Sequence, residues 1–242
     1  MVVFDSIDST NEEARRRVEA GDSGPLWIAS KQQTKGRGRQ GRNWQSQPGN
    51  LAATGLFPFA GTPAEAAKLS FATSLAAAEV FEALAPRAKI ALKWPNDALL
   101  NGKKAAGILL ENLGTGADGS LRLAIGIGLN LIHAPPAEET KWPATSIQAE
   151  SGSKPDFDMA LLTLAARLDH WMTTMRTGGF AAIRTAWLSR AINLGRQIEV
   201  RLPTETLNGG FKGLDDNGAL VLEMPGEVRH ISAGDVYFAE GV

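Results

Sequence analysis

The chain has no cysteine, only three histidines and a single tyrosine. Without cysteine there is no disulfide, no thiolate metal site, no iron–sulfur cluster and no thiol catalysis, which fits a reducing compartment. His133, His170 and His230 stand far apart, none with a second ligand at metal-binding spacing, so no transition-metal site is expected. Long apolar runs are missing too, since no window approaches the roughly 18 uninterrupted apolar residues of a membrane span. The N-terminus has no basic segment leading into an apolar stretch, and Glu12 and Glu13 arrive early, so the expectation is an unprocessed cytoplasmic protein. An excess of one charge is also lacking. The 25 basic and 26 acidic residues leave −1, which speaks against a surface built as a whole for nucleic acid or anionic lipid.

What is present is a chain of 242 residues, 43% apolar and 21% charged, long enough for one large domain or for a domain with a small appendage. Its charge is uneven. Lys31, Lys35, Arg37, Arg39 and Arg42 place +5 within twelve residues that hold no acid. Around them, Gln32 to Asn50 shows no apolar periodicity, and a loop of that length is usually functional or disordered. Gly36-Arg37-Gly38-Arg39-Gln40-Gly41 satisfies G-x-G-x-x-G, but a dinucleotide site needs a helix opening at the third glycine. The following Arg42 to Pro48 has no apolar face and ends in proline. No G-x-x-x-x-G-K-[ST] occurs either. Guanidinium groups alternating with glycine can converge on one polyanion, either a nucleic-acid backbone or a nucleotide triphosphate. A merely solvated basic loop is the plain alternative, and Trp44 beside it weighs against that.

Along the chain, Val2 to Asp5 reads as a strand and Ser9 to Glu13 as a helix start, with Thr10 and Glu13 as a capping box and Gly21 as the stop. Leu26 to Lys31 and Leu51 to Phe57 read as strands. Thr62-Pro63-Ala64-Glu65 caps a long helix that Pro86 ends. Lys89 to Trp94, Ala98 to Leu100, Ala105 to Leu113 and Leu121 to Leu129 read as strands, with a hairpin at Asn101-Gly102, so an antiparallel sheet fills the middle. Leu161 to Met175 and Phe180 to Arg190 have helical patterning. After Gly195 come five short β segments, the last being Asp235 to Ala239, separated by turn signals, which suggests a small barrel packed on the main domain. The fold class is therefore α+β: a central, mainly antiparallel sheet with flanking helices, then a small C-terminal barrel. Residues 1–192 form the first domain and 193–242 the second.

Two further stretches carry chemistry. Lys93-Trp94-Pro95-Asn96-Asp97 packs a cation, an aromatic, a forced turn, an amide and a carboxylate into five residues. Across the Asn101-Gly102 hairpin, Asp97 and Lys104 can lie on neighbouring strands. Asp97 could then hold Mg2+ and Lys104 a carboxylate or phosphate oxygen, or the two could form an ordinary cross-strand salt bridge. Gly126 and Gly128 inside a strand point to close approach of a ligand or another backbone, or to a bulge, and Asn130 could read a base edge through its amide.

Taken together, these stretches resemble the biotin–protein ligases. The motifs are Ser9-Thr10-Asn11; Gln33-Thr34 with Gly36-Arg37-Gly38-Arg39-x-Gly41-Arg42-x-Trp44; Lys93 to Asp97; Lys104-x-x-Gly107-Ile108-Leu109-x-Glu111; and Gly126-x-Gly128-x-Asn130. They stand in the family's order and cover nearly the whole chain, with an SH3-like C-terminal domain as counterpart of the barrel. The resemblance implies that biotin and MgATP give biotinyl-5′-AMP, which a lysine of a biotin carboxyl carrier protein then attacks. It implies Ser9, Thr10, Asn11 and Gln33 at the biotin head group, with Arg37, Gly38, Arg39, Trp44, Lys104 and Gly107 along the rest of biotin. Arg39, Arg42, Lys93, Asn96 and Asn130 would meet ATP, Asp97 would meet Mg2+, and Lys104, Arg37 and Arg39 would be catalytic. The glycine-rich loop is expected to be mobile when empty and to order over the adenylate. Gln40, Lys35 and Lys31 depart from the usual pattern, which puts tight adenylate retention in doubt. Only eight residues precede Ser9, so no helix-turn-helix DNA-binding domain is expected, and a homodimer rests on the resemblance alone. A lipoate–protein ligase or acyltransferase of the same fold is the alternative enzyme. A nucleic-acid-binding module using the basic loop is the alternative from another class.

Overall fold

The computed structural model describes residues 1–238. In chain order it has β1 (Val2–Phe4), α1 (Thr10–Glu19), β2 (Leu26–Ser30), β3 (Leu51–Phe59), α2 (Pro63–Ala67), α3 (Leu69–Leu84), β4 (Ile90–Lys93), β5 (Asp97–Leu100), β6 (Lys103–Thr115) and β7 (Leu121–Leu129). There follow α4 (Ile147–Ser151), α5 (Phe157–Leu188), β8 (Gln197–Arg201), β9 (Thr206–Leu214), β10 (Leu220–Met224), β11 (Glu227–Ile231) and β12 (Asp235–Phe238). Among the described residues no helix is long and apolar enough to cross a membrane. The expected strand end at Ala239 lies outside the described residues.

The first seven strands form one sheet in the order β1-β2-β3-β7-β6-β5-β4. Only β1 and β2 pair in parallel, so the expectation of a mainly antiparallel sheet holds. The period of two in β7 sorts the layers. Leu123, Ile125, Ile127 and Leu129 face the helices on one side and join the main core, while Ala124, Gly126 and Gly128 face the other side. The large side chains are covered by α3, which is buried on almost every side as a helix between a sheet and α5 must be. The small side chains leave the opposite face open to α1 and to the basic loop. A strand that alternates isoleucine or leucine with glycine thus builds a core on one side and a floor on the other.

Local signals mostly act where expected, though the single long helix expected after Thr62 is two, α2 and α3, parted at Lys68. Thr62 and Glu65 form the predicted capping box, and Asn101 and Gly102 turn the β5–β6 hairpin with φ of 49° and 78°. Gly179, at φ 69°, breaks α5 between the two predicted helical stretches. The predicted box at Thr10 and Glu13 does not form. Ser9 is the N-cap residue, without a side-chain cap, and Thr10 already lies inside the helix. Glu13 instead pairs with Arg16 and Arg17, at 2.9 and 3.0 Å. Tertiary partners for the Thr10 hydroxyl outcompete the local cap.

The last five strands make an all-antiparallel sheet, β11-β10-β9-β8-β12, of the SH3-like kind. It is held to the first unit by the turn at Asp215–Gly218. Trp94 Nε1 donates to Gly218 O at 3.2 Å, Lys68 Nζ donates to Asp216 O at 2.8 Å, and Arg184 pairs with Asp216. Gly218 has φ 81° and sits against Phe71 and Phe180, where a Cβ would come within 2.6 Å of the Phe71 ring. Trp94 of the Lys-Trp-Pro-Asn-Asp motif is therefore a docking residue, buried in the core.

Candidate active site

The open sheet face, the start of α1 and the basic loop enclose a cavity of about 150 Å3. Its floor is the glycine pair Gly107 and Gly128, in register across β6 and β7. The indole of Trp44 lies on both, and a Cβ would meet it at 2.8 Å on Gly107 and 2.3 Å on Gly128. A Cβ on Gly126 would meet Asn11 Oδ1 at 2.3 Å. The expectation for these strand glycines is corrected on one point. The register runs unbroken through Gly126 and Gly128, so there is no bulge at them, and what approaches them closely is not another backbone but the side chains of Asn11 and Trp44.

At one end of the cavity, α1 presents a polar cluster. The Thr10 amide donates to Gln33 Oε1 at 2.8 Å, and the Thr10 hydroxyl lies 3.1 Å from the same oxygen. Thr54 Oγ1 donates to Asn11 Oδ1 at 2.6 Å and sits 2.8 Å from Thr10 Oγ1. Asn11 Nδ2 donates to Glu111 Oε2 at 2.7 Å. Since Gln33 turns its oxygen inward, its Nε2 is left as a donor towards the cavity, which Ser9, Thr10, Asn11 and Gln33 all line.

The loop closes the cavity from above, with a short 3-10 turn at Arg39–Gly41 where Gln40 takes φ 56°. No helix follows, in keeping with the rejection of a dinucleotide site. The three arginines differ. Arg37 is drawn back by Glu12 at 2.6 Å and Glu111 at 2.9 Å. Arg42 is held bidentately by Asp235 of β12, which raises its pKa. Arg39 makes no ion pair among the described residues. It reaches only Asn96 Oδ1, at 3.4 Å, and burial lowers its pKa from the usual arginine value. A half-buried guanidinium without a carboxylate partner is a site for an anion.

Beyond it lie the motif residues of the central hairpin. Lys104 Nζ is 2.5 Å from Asp97 Oδ1, and Lys93 Nζ is 3.9 Å from Asp97 Oδ2. Burial pushes the Lys93 pKa down, opposed by Asp97. The salt-bridge reading of the Asp97–Lys104 pair is realised, and both residues line the cavity. In all, Arg37, Arg39, Arg42, Lys93 and Lys104 face only Asp97 and Asp235 on the cavity wall. The lining is net cationic, suited to a carboxylate and phosphates.

A second chamber of about 610 Å3 shares Arg42, Asn43, Trp44, Lys93, Asp97, Lys104 and Asp235 with the first. Asn130 lines this chamber and not the first. Its backbone is tied to Ala105 and Ile147, and its Nδ2 donates to Thr145 O at 3.0 Å. Its Oδ1 is buried without a partner, an acceptor with nothing to accept. Trp142, with Lys93 Nζ 4.9 Å from its ring centre, is part of the same wall.

Every residue expected from the sequence lines one of the two chambers: Ser9, Thr10, Asn11, Gln33, Arg37, Gly38, Arg39, Arg42, Trp44, Lys93, Asn96, Asp97, Lys104 and Gly107 the first, Asn130 the second. Thr54, Trp142 and Asp235 were missed. Trp142, flanked by Lys141 and Pro143 in a polar loop, offered a signal; Asp235 and Thr54 offered none, because only the fold brings them here.

Residues 3–130 match the biotin/lipoate A/B protein ligase family, and residues 194–239 match the biotin protein ligase C terminal domain. The chain is similar to the biotin–[acetyl-CoA-carboxylase] ligase of Paracoccus denitrificans, with 44% identity over 96% of this chain and 97% of that protein. It is 30% identical to the bifunctional ligase/repressor of Escherichia coli K12, over 98% of this chain and 73% of that protein. Among solved structures it resembles the Aquifex aeolicus biotin protein ligase in complex with biotin and ATP, with a TM-score of 0.81, 27% identity and coverage of 98% and 97% of the two chains.

Proposed function

The chain belongs to the biotin protein ligase family, and from that membership we propose how its two chambers divide the work. It is an enzyme that ligates biotin to protein at the expense of ATP. In the first step a biotin carboxylate oxygen bonds to the α-phosphorus of ATP and pyrophosphate leaves. In the second, an acceptor lysine amine bonds to the acyl carbon, AMP leaves and the amine loses a proton. On our reading the smaller cavity takes biotin and the larger takes the nucleotide, so the reacting groups meet at their shared wall of Lys104, Asp97 and Lys93.

The observation that carries this reading is Arg39, a half-buried cation that makes no ion pair among the described residues and lines the same cavity as Lys104 and Asp97. At the polar end, Ser9, Thr10, Asn11 and Gln33 take the ureido ring, whose N–H and carbonyl groups would each cost about 1–3 kcal/mol if buried unpaired. Trp44 packs along the valeryl chain over Gly107 and Gly128. Lys104 holds the carboxylate towards the α-phosphorus and offsets charge developing there. Arg39 and Arg42 hold phosphate oxygens, and Gly38 lets the loop backbone approach. Arg37, turned towards Glu12 and Glu111, contributes by anchoring the loop rather than by contact with phosphate. A loop closed over the mixed anhydride keeps water from it. In the larger chamber, Lys93 and Asn130 meet the nucleotide, and Asn96, on the wall of the smaller cavity next to Arg39, meets it from that side.

Among the described residues no cluster of three or more acidic or histidine side chains could form a metal cage. Mg2+ fits here as an ion held mainly by phosphate oxygens, with Asp97 as its protein ligand, and it would neutralise charge on the leaving pyrophosphate. To the same reading belong a biotin carboxyl carrier protein as acceptor, a cytoplasmic place of action and pairing of two copies through the central sheet. So does a division into a catalytic unit at 1–192 and an SH3-like unit at 193–242. The match of residues 194–239 favours biotin over lipoate.

Exchange of radiolabelled pyrophosphate into ATP tests the reading. Exchange should depend on biotin and not on lipoate. Dependence on lipoate alone, or on neither acid, would overturn it.

A further inference from the structure

Glu111 has no role in the mechanism above, yet it is the most heavily engaged carboxylate near the cavity. It sits on β6, on the same sheet face as Gly107 and opposite Ala124 of β7. It accepts from Asn11 Nδ2 at 2.7 Å and from Arg37 NH2 at 2.9 and 3.1 Å, and Arg15 NH2 lies 3.7 Å away. One carboxylate therefore ties the start of α1 to the basic loop.

The consequence lies in hydrogen-bond polarity. A carboxylate can only accept, so the amide of Asn11 must turn its nitrogen to Glu111 and its oxygen to Thr54. The 2.6 Å bond from Thr54 Oγ1 to Asn11 Oδ1 agrees with that orientation. With the oxygen so occupied, Nδ2 is the amide's donor: one hydrogen goes to Glu111 and the other meets Leu109 O at 3.4 Å, a long contact that a ligand acceptor would replace. Gln33 likewise keeps its oxygen inward on the Thr10 amide and offers Nε2. Both side-chain amides at the polar end of the cavity are donors.

We propose that Glu111 is a positioning residue that sets the Asn11 amide as a donor towards the ligand's carbonyl and, through Arg37, registers the loop over the same cavity. This rests on the reading of the smaller cavity as the biotin site. Selectivity follows from it: the pocket accepts a ureido carbonyl and disfavours 2-iminobiotin, in which that acceptor is replaced by an imino group that carries hydrogen. Glu111→Gln keeps the shape but can both donate and accept. It releases the Asn11 amide to flip and removes one of the two charges that hold Arg37.

The test is calorimetric titration of biotin and 2-iminobiotin into the full chain, first unaltered, then as Glu111→Gln and Glu12→Gln. The unaltered protein should bind biotin. In Glu111→Gln, biotin affinity should fall about tenfold or more, as for one mispaired buried group, and the preference for biotin over 2-iminobiotin should narrow. Glu12→Gln removes one of the two carboxylates that hold Arg37 but leaves Asn11 alone. It should speed tryptic cleavage of the loop and leave the preference unchanged, an outcome that a general loosening of the fold would not give. If the unaltered protein binds no biotin, the functional reading fails and this inference fails with it. If it binds biotin while Glu111→Gln leaves affinity and preference unchanged, or Glu12→Gln narrows the preference equally, only the role of Glu111 is overturned. A melting curve checks that Glu111→Gln is folded. If it is not, Glu111→Asp, whose carboxylate is one methylene too short to reach both partners, must narrow the preference in the same way or the proposal falls.

Discussion

Gly107 and Gly128 face each other across β6 and β7, and the indole of Trp44 rests on both. Neither glycine is needed for its backbone angle, because neither has a positive φ. They are needed for what a Cβ would displace. In Gly128→Ala the methyl would lie 2.3 Å from the indole, so the ring must leave the floor and the loop must move with it. We expect a stability loss of about 1–3 kcal/mol, as for an overpacked core position, together with a larger loss of biotin affinity. Gly102→Ala is the contrast. It meets no atom within 4 Å and is strained only by its φ of 78°, so it should lower the melting temperature and leave biotin binding intact. Equal effects of the two variants on binding would show that the indole does not depend on a bare floor.

Lys104 lines both chambers and lies 2.5 Å from Asp97. Lys104→Met preserves the aliphatic stem and removes the charge, which lies 5.7 Å from the Trp44 ring centre. Pyrophosphate exchange should fall by about two to three orders of magnitude, the scale for loss of one group that stabilises transition-state charge. The melting temperature should change little, since Lys93 remains 3.9 Å from Asp97 to offset its charge. Near-normal exchange in a folded Lys104→Met would remove this residue from the chemistry.

Arg42 joins the loop to the second sheet through Asp235. Burial works against the Asp235 charge, but Arg42 holds its pKa below the ordinary carboxylate value. In Asp235→Asn the guanidinium loses its ionic partner. Trypsin should then cut after Arg42 faster in the absence of ligand, and the KM for ATP should rise by a larger factor than the KM for biotin. A variant with the same cleavage rate and the same KM values would mean that the SH3-like unit does not steady the loop.

Much of this could be read before any fold was known, because local rules govern it. β7 runs over Leu121–Leu129 as its residues suggested, and Asn101-Gly102 turns the hairpin because both residues tolerate positive φ. Helix capping at Thr10 failed for the opposite reason. Its hydroxyl found Gln33, 23 residues away, and Thr54, 44 away, and no local rule anticipates such partners. Asp235 lies 193 residues from Arg42, and its sequence context carries no mark of a site. Asn130 was recognisable as a strand-end amide, but only packing decides which chamber it enters.

Asp8 offers a measurement against pH. Arg16 donates to both of its oxygens at 2.9 Å, and the Ser9 amide donates at 2.7 Å, so Asp8 both anchors α1 and fixes Ser9, which lines the smaller cavity. The hydrogen bonds from Arg16 lower its pKa from 3.8 to about 2. A carboxylate whose folded pKa is depressed adds stability above its unfolded pKa and loses it as pH falls through the folded value. The contribution should therefore be complete above about pH 4 and gone below about pH 2. Because the pair is largely exposed, its size should be about 1 kcal/mol or less. Carboxyl NMR titration should place the Asp8 midpoint near 2, and Arg16→Gln should return it towards 3.8. A midpoint near 3.8 in the unaltered protein would mean that the Arg16 contact does not persist in solution.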